Sequence, residues 1–340
     1  MRRVIVIGAT GHIGSFLIPR LVRAGHQVVA VSRGRRAPYV DDPAWHDVER
    51  VERVMLDREA DPEGFHAAIR ELVGDAEQDV VVDLTTFTVA EAEPLLDAVR
   101  GRIARLVHCG TIWVHGPSLV VPTTEDDPRR PIGDYGTNKA AIEDLLAAEA
   151  DRPDGVASVV LRPGHITGPG WPMVNPVGNL DLEVWERLAR GRPVTMPELG
   201  IPTLNHVHAD DVAQAFALAV EAPEIVPGRA FNIVAPRSMT MRGLAEGVAA
   251  WFEREADLRY VSVDEFRAQT TPAFGDASFE HLRRSHTMSI DRARRELAYD
   301  PAYTSLAAVG EALAQLAEDG AVDLGGADPA LIRERSRANR

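Results

Sequence analysis

The sequence predicts an α/β fold with a doubly wound parallel sheet and a smaller, mixed α/β lobe towards the C-terminus. In the first half of the chain, short and almost wholly apolar segments alternate with segments of helical periodicity. Strands of this kind are typical of a parallel sheet that is buried under helices on both faces. A glycine-rich turn joins the first apolar segment to a helix, and the alternation stops after residue 162, where proline and glycine become frequent.

The first half supplies most of the predicted sheet. Runs rich in valine, isoleucine and leucine indicate strands, and the periodic runs between them indicate helices. The predicted strands are 4–7, 27–32, 53–56, 79–84, 103–109 and 157–161, and the predicted helices are 12–24, 62–73, 89–99 and 134–150. These elements define a first domain, 1–162.

The second half returns to the sheet once and otherwise forms the smaller lobe. Segments near 207–235 are expected to rejoin the first domain, while 163–206 and 236–325 make up the lobe. The predicted elements are a strand at 230–234 and helices near 182–190, 209–221, 241–254, 291–298 and 305–317. The polar tail, 326–340, begins like a capped helix and is expected either to fray or to pack on a partner subunit.

The composition is that of a globular protein and argues against a nucleic-acid partner. The formal net charge of −14 gives an acidic surface that repels nucleic-acid phosphates. The single cysteine, Cys109, excludes an intrachain disulfide and a cysteine-based zinc site, which favours a cytoplasmic protein. The apolar run 4–7 is too short for a signal peptide, and no run is long enough to span a bilayer. We therefore expect neither a nucleic-acid nor a membrane partner.

The glycine turn after the first predicted strand is a candidate dinucleotide site. Gly8, Gly11 and Gly14 follow a GxxGxxG spacing at the start of the first helix. In this context the first glycine permits a tight turn, the second lets a pyrophosphate approach the backbone, and the third lets the helix pack against the strand. The unpaired N–H groups of the helix N-terminus then bind the phosphates. The same site includes the intervening Thr10, His12 and Ile13.

Residues after the next three strands are expected to complete the cofactor site. Arg33 and Arg35 follow the second strand, where arginines favour the 2′-phosphate of NADP and an acid would favour NAD. We predict NADP, with NAD as the alternative; the arginines would then be solvated loop charges. Asp57 and Arg58 after the third strand are expected to flank the adenine, and Thr85 follows the fourth strand at the same cleft.

A tyrosine and the only lysine of the chain form a candidate catalytic pair. Of the 37 lysine and arginine residues only Lys139 is a lysine, and it follows Tyr135 by four residues on a predicted helix. That spacing puts both side chains on one helix face. A nearby ammonium lowers the pKa of a phenol, so Tyr135 is expected to exchange a proton with the substrate while Lys139 binds the nicotinamide ribose. The alternative is an exposed tyrosine beside a solvated lysine.

Four motifs, in order, resemble the extended short-chain dehydrogenase/reductases, the NAD-dependent epimerase/dehydratase family. They are GATGHIG (8–14), YGTNK (135–139), LRPGHITGPG (161–170) and HVHADDVAQAF (206–216), and SIDRARRELAYDP (289–301) is similar to the family's C-terminal segment. The resemblance implies a Rossmann domain, a Tyr–Lys pair and, at Thr111, a hydroxyl that holds the substrate oxygen against the tyrosine. The stretch 175–216 resembles the chloroplast stem-loop-binding branch, which keeps RNA binding as an alternative. Extended members are often dimers, so a homodimer is expected.

Two positions depart from the nucleotide-sugar enzymes of this family. Residues 202–205 contain no arginine where those enzymes place one to bind a diphosphate, and His165 stands where epimerases often have an asparagine. Both changes favour a smaller, less charged substrate or an altered clamp for the diphosphate. The candidate substrate residues lie in loops after the strands and are Trp113, His115, His165, Trp171, Asn175 and His206. The histidines lack the close spacing that is typical of metal ligands, so no metal site is expected.

The sequence therefore predicts an NAD(P)-dependent oxidoreductase of the epimerase/dehydratase type. Tyr135 would act as general acid/base, with Lys139 and Thr111, on a secondary alcohol or ketone carbon of a sugar or sugar-like molecule. Two alternatives stay open. One is an NADPH-dependent ketoreductase of a non-sugar metabolite, and the other is a module that senses the cofactor or binds RNA without chemistry.

Overall fold

The structure, a computed structural model, describes residues 1–74, 78–222 and 226–338. In chain order its strands are β1 (Arg3–Ile7), β2 (Gln27–Ser32), β3 (Val51–Met55), β4 (Asp79–Asp83), β5 (Ile103–Cys109), β6 (Ser158–Pro163), β7 (His165–Thr167), β8 (Val194–Pro197), β9 (Thr203–Leu204), β10 (His206–His208), β11 (Arg229–Ile233), β12 (Met239–Thr240) and β13 (Leu258–Val261). Its helices are α1 (His12–Arg23), α2 (Pro62–Leu72), α3 (Val89–Val99), α4 (Gly133–Ala150), α5 (Glu183–Arg190), α6 (Ala209–Glu221), α7 (Met241–Trp251), α8 (Val263–Ala268), α9 (Pro272–Leu282), α10 (Asp291–Leu297), α11 (Ser305–Glu318) and α12 (Pro329–Ala338).

Seven of the described strands form one sheet, in the order β3-β2-β1-β4-β5-β6-β11. Every neighbouring pair runs parallel. The strand order reverses between β1 and β4, and in sheets of this kind a ligand cleft opens at the carboxyl ends of the strands at that point. The predicted doubly wound parallel sheet is confirmed.

Helices cover both faces of this sheet because its strands are apolar on both sides. On β4, Val80 and Val82 pack into the core beneath α1 and α6, whereas Val81 packs into the core beneath α2, α3 and α4. A third core belongs to the smaller lobe and contains Trp185 of α5 and Leu313 of α11. The lobe therefore has its own apolar centre beside the sheet.

The described part of the C-terminal tail folds as α12 and packs within the smaller lobe. Ile332 and Ser336 are buried, and Arg333 donates to Glu318 of α11 at 2.6 Å. The tail therefore contacts its own chain along this length. The last two residues, 339–340, lie outside the described part.

The predicted ends of the strands and helices within residues 1–162 agree with the observed ones to within two residues. The division into a first domain and a smaller lobe stays a prediction. The sequence does not predict α8, α9 or the short strands β7 to β10, β12 and β13. Strands of two to four residues carry too few side chains for a recognisable pattern. The parallel pairing of β7 with β10 matters for the site because it places His165 opposite His206.

Candidate active site

A cleft of about 620 Å³ opens at the carboxyl ends of β1, β2 and β4, where the strand order reverses. The predicted site residues that line it are Gly8, Thr10, Gly11, His12, Ile13, Arg33, Arg35, Asp57, Arg58, Thr85, Tyr135 and Lys139. The cleft thus brings the predicted cofactor residues together with the Tyr–Lys pair. Gly14 lies beneath the turn rather than on the cleft wall.

Two glycines of the turn are required by the space around them. Gly8 has a φ of +92°, and a Cβ there would lie 2.5 Å from Cγ2 of Thr85. A Cβ at Gly14 would lie 2.3 Å from the carbonyl oxygen of Ala9. No side chain fits at either position, because Gly8 lies against Thr85 and the start of α1 lies against the backbone of the turn. The N-terminus of α1 borders the cleft. This arrangement fits the pyrophosphate of a dinucleotide.

Three arginines stand at the rim where an adenosine ribose would lie. Arg33 pairs with Glu59 at 3.1 Å and Arg35 with Asp57 at 2.5 Å. Arg36 also lines the cleft but has no carboxylate partner among the described residues. Its Nη2 lies 3.7 Å from the point that a Cβ of Gly11 would occupy. Arg36 belongs to the same arginine run as the predicted residues, but only the structure shows which of the three lacks a carboxylate partner. Its Nη1 donates to the hydroxyl of Tyr39.

Aromatic side chains from two loops cover the glycine turn beside Arg36. His12 stacks on Trp171 with ring centroids 3.7 Å apart, and its Nε2 lies 3.2 Å from the hydroxyl of Tyr39. Burial and the charge of Arg36 lower the pKa of His12 to about 4. The imidazole is therefore neutral at neutral pH. Tyr39 is absent from the predicted site residues, because its loop shows no strand or helix pattern. Trp171, a predicted substrate residue, lies instead at the glycine turn.

Lys139 lies at the floor of the cleft, between the ends of β4 and β5, and is only 1% exposed. Its Nζ donates to the carbonyl oxygens of Thr86 at 2.6 Å and Cys109 at 2.7 Å, and lies 4.7 Å from the ring centroid of Phe87. Two of its three N–H donors are used in this way, which leaves the third for a ligand. Burial lowers the pKa of Lys139, and the negative groups around it oppose that shift.

Tyr135 lies one helical turn before Lys139 and borders the same cleft. It is 41% exposed and contacts Trp113 edge-on at 5.7 Å between ring centroids. The protein atoms crowded around its hydroxyl raise the pKa of Tyr135 to about 12, and a hydrogen bond with Thr111 opposes this. The predicted lowering of this pKa by Lys139 is wrong, because that ammonium is directed at two backbone carbonyl oxygens. Tyr135 is therefore protonated at neutral pH.

Thr111 stands at the end of β5, where it begins the short 3₁₀ helix Ile112–His115. Its side-chain oxygen accepts the N–H of Trp113 at 3.3 Å. This hydrogen bond uses only an acceptor site of the oxygen and fixes the hydroxyl, which hydrogen-bonds with Tyr135. The predicted hydroxyl of the site is thus held at the tyrosine by the local backbone.

His115 points away from the cleft into a buried polar network. Its Nε2 lies 3.2 Å from Arg162 and 3.3 Å from the amide oxygen of Asn232. Arg162 in turn binds both carboxylate oxygens of Glu143, at 3.0 and 2.6 Å. Burial and the charge of Arg162 lower the pKa of His115 to about 4. The structure therefore gives His115 a role inside the fold rather than on a substrate surface.

Asn175 is fully buried and organises its own loop. Its Nδ2 donates to Asn179 at 2.6 Å, and its Oδ1 accepts the N–H of Val177 at 2.9 Å. The predicted substrate role of Asn175 therefore does not match its position.

A wall of neutral rings stands beside Tyr135 on the lobe side. The ring of His281 lies 4.9 Å from that of His165 and 5.5 Å from that of Trp113, between centroids, and His206 is 5.8 Å from His165. Burial lowers the pKa of His206 to about 4 and that of His165 well below its usual value. His281, from α9, is a member of this wall that the sequence does not predict.

Two further observations concern the described residues as a whole. No three His, Cys, Asp or Glu side chains among them are grouped so as to hold a metal ion. No helix in that part of the chain is both long and apolar enough to cross a membrane.

Comparison with known proteins identifies the family. Residues 4–234 match the model of the NAD dependent epimerase/dehydratase family. The chain belongs to this family. Its membership confirms the predicted family and the predicted enzyme class, an NAD(P)-dependent short-chain dehydrogenase/reductase. The predicted homodimer and cytoplasmic location stay predictions.

The similar proteins have names that describe different activities. The chain is 28% identical over 308 residues to the chloroplast stem-loop binding protein of 41 kDa b from Arabidopsis thaliana, covering 89% of this chain and 76% of that protein. It is 30% identical over 222 residues to 2′-dehydrokanamycin reductase from Streptomyces kanamyceticus, covering 63% of this chain and 57% of the reductase. The crystal structure of UDP-glucose 4-epimerase from Thermotoga maritima has the same fold, with a TM-score of 0.68 at 19% identity over 93% of this chain and 99% of the epimerase.

Proposed function

We propose that the protein is an NAD(P)-dependent oxidoreductase that reduces a ketone, or oxidises the corresponding secondary alcohol, on a sugar or sugar-like small molecule. The observation that carries the proposal is Lys139, buried at the cofactor cleft one helical turn from Tyr135. Burying an ammonium costs free energy unless its hydrogen bonds are supplied. Every other residue of the lysine and arginine set is an arginine, and the one lysine stands where a compact ammonium donates to two backbone carbonyl oxygens.

The proposed reaction transfers a hydride and a proton. The cofactor handles the hydride and the residues of the chain handle the proton. When bound in the cleft, the nicotinamide cofactor supplies or accepts the hydride. Tyr135 gives its hydroxyl proton to the substrate carbonyl oxygen as that oxygen gains electron density. Thr111 donates to the same oxygen and holds it near Tyr135. Lys139 has one N–H left over and would use it to hold the nicotinamide ribose when the cofactor is bound. With a pKa of about 12, Tyr135 is protonated at neutral pH and can serve as the acid in reduction.

NADP is the cofactor we propose, with NAD as the alternative. Support comes from the arginines at the ribose end of the cleft, since a 2′-phosphate binds guanidinium groups in a bidentate manner. Arg36 is the arginine ready to bind, because it has no carboxylate to exchange in the described part of the chain. Arg33 and Arg35 must leave Glu59 and Asp57, or share them, before they bind a phosphate.

The substrate we propose carries little or no charge. Residues 202–205 supply no arginine, and the hydroxyl of Thr203 donates to the carbonyl oxygen of His286 at 2.9 Å. The wall beside Tyr135 consists of Trp113 and neutral histidines, which suit sugar hydroxyls better than a diphosphate. The relative named 2′-dehydrokanamycin reductase supports the reduction direction.

The test is a search for ketone-dependent oxidation of NADPH. The purified protein is incubated with NADPH or NADH and with keto sugars that are free, glycosidic or nucleotide-linked, and the loss of absorbance of the reduced cofactor is followed. We expect oxidation of NADPH with free or glycosidic keto sugars. Activity confined to non-sugar ketones would favour the ketoreductase alternative, and tightly bound NAD that survives purification would favour an epimerase. No oxidation with any ketone would contradict the proposal.

RNA binding without chemistry is the second candidate, favoured by the identity with the chloroplast stem-loop binding protein. The net charge of −14 opposes it, because nucleic-acid affinity comes largely from basic groups. Filter binding of a stem-loop RNA at low and at physiological salt separates the two functions. RNA affinity that falls steeply with salt, together with no turnover, would establish the second candidate.

A further inference from the structure

A buried acid–histidine pair lies directly beneath Lys139. Asp83 ends β4 and His108 lies opposite it on β5, and both side chains are at most 2% exposed. Nδ1 of His108 lies 2.9 Å from Oδ2 of Asp83. The proposed reaction assigns neither residue a step, so the pair is an unexplained group of titratable side chains at the centre of the site.

The pair contacts both chain segments that bind Lys139. Oδ1 of Asp83 accepts the N–H groups of Thr85 at 3.1 Å and Thr86 at 3.2 Å, and the carbonyl of Thr86 accepts from Lys139. His108 immediately precedes Cys109, whose carbonyl is the other acceptor. The Asp83–His108 hydrogen bond therefore ties together the end of β5 and the turn after β4, the two segments that present these oxygens.

Asp83 is ionised and His108 is neutral. Burial alone would raise the pKa of Asp83, but the hydrogen bond from His108, the charge of Lys139 and the N–H of Thr85 hold it well below its usual range. Burial lowers the pKa of His108, and Lys139 lowers it further. An ionised carboxylate only accepts hydrogen bonds, so Nδ1 of His108 carries the proton. The pair then has one net negative charge, facing Lys139.

Other groups near Lys139 do not supply a free negative charge. Burial raises the pKa of the Cys109 thiol to about 11, so it is neutral, as is Tyr135. Glu143 is bound by two arginines, Arg162 at 2.6 Å and Arg129 at 3.2 Å.

Glu91 of α3 is the last of these groups. It is partly exposed and lies 3.5 Å from Arg58. Solvent and this arginine screen its charge. Asp83 is therefore the buried anion that the lysine ammonium balances.

We propose that Asp83 and His108 are positioning residues for Lys139: Asp83 supplies the counter-charge that keeps the buried ammonium protonated, and the pair holds the two carbonyl oxygens that aim it into the cleft. The inference rests on the proposed role of Lys139 in the oxidoreductase site. The inference adds a buried aspartate–histidine pair that supports Lys139. This pair forms because Asp83 of β4 lies opposite His108 of β5.

The single lysine makes a direct test possible. Lysine labelled with ¹³C at Cε and ¹⁵N at Nζ gives one side-chain NMR signal in the full-length protein, and its pH titration reports Lys139 alone. We expect wild-type Lys139 to be an ammonium at neutral pH, with slowly exchanging N–H protons. In Asp83→Asn the titration midpoint should fall by about one pH unit or more, the usual effect of removing an opposite charge nearby.

Two further variants separate charge from position. Glu91→Gln removes a partly exposed carboxylate and should move the midpoint by less than about 0.3 unit, because its charge is screened. His108→Gln keeps the charge of Asp83, so it should move the midpoint less than Asp83→Asn while making the ammonium protons exchange faster. An unchanged midpoint in Asp83→Asn, or an equal shift in Glu91→Gln, would overturn the proposal.

The wild-type spectrum alone also decides the matter if Asp83→Asn does not fold. A neutral amine at Lys139 at neutral pH would overturn the proposal without any variant. None of these signals depends on a substrate. Failure of the inference is therefore distinct from failure of the proposed function, which the ketone search measures separately.

Discussion

Replacing Lys139 by arginine keeps the positive charge and tests whether the site requires lysine. The ammonium is 1% exposed and is enclosed by the carbonyl oxygens of Thr86 and Cys109, at 2.6 and 2.7 Å, and by the ring of Phe87 at 4.7 Å. A guanidinium is larger, and overfilling a packed site costs about 1–3 kcal/mol. It also brings five N–H donors to two acceptors, and each buried donor left without a partner costs about 1–3 kcal/mol.

If one of these donors stays without a partner, the expected loss of stability in Lys139→Arg is about 2–6 kcal/mol, a large part of the roughly 5–15 kcal/mol that stabilises a typical domain. Thermal unfolding by circular dichroism is the assay, and the melting temperature should fall by roughly 4–12 °C. The control is Arg187→Lys, an exposed exchange in the ion pair with Glu183, which should change stability by less than about 0.5 kcal/mol. Wild-type stability and full NADPH affinity in Lys139→Arg would refute the reasoning, because arginine would then serve equally well.

Three further predictions concern the cofactor site and the proton. Arg36→Gln should weaken NADPH binding by about 10-fold or more with little effect on NADH, measured by the fluorescence of the bound nicotinamide, since a charge-assisted contact to the 2′-phosphate is lost; equal loss for both would contradict the assignment. Gly14→Ala should lower the melting temperature and abolish dinucleotide binding, because the added methyl carbon would lie 2.3 Å from the carbonyl oxygen of Ala9; unchanged binding would show that the turn can open. Alcohol oxidation should accelerate about tenfold per pH unit between pH 7 and 9, since oxidation requires the phenolate of Tyr135 and its pKa of about 12 lies above that window, whereas reduction should change little; a flat oxidation profile would exclude Tyr135 as the base.

The sequence predicts the first domain well because its signals are local. Val80, Val81 and Val82 indicate a strand buried on both faces, and the structure confirms it. The glycine turn is likewise recognisable from its spacing, and the clashes that a Cβ at Gly8 or Gly14 would meet give the physical reason.

The parts that the sequence does not predict depend on contacts between distant segments. Asp83 and His108 meet only through the register of β4 on β5, which no single segment reveals. His115 and Asn175 are polar residues in loops that turn inward, so their type suggests a ligand while their burial gives them structural partners. Likewise, the carboxylates of Asp57 and Glu59 after β3 decide which arginine of the rim lacks a carboxylate partner.

The measurement that tests the central claim most directly compares two tyrosine variants in ketone reduction. Tyr135→Phe removes the hydroxyl at the cleft, and Tyr260→Phe removes one from an equally exposed tyrosine on β13, since both residues are 41% exposed. Under saturating NADPH and the ketone found in the search, kcat of Tyr135→Phe should fall by about 10²–10⁴ while NADPH affinity stays within about twofold, because only the proton donor is lost. Tyr260→Phe should retain wild-type turnover. Wild-type turnover in Tyr135→Phe would contradict the account.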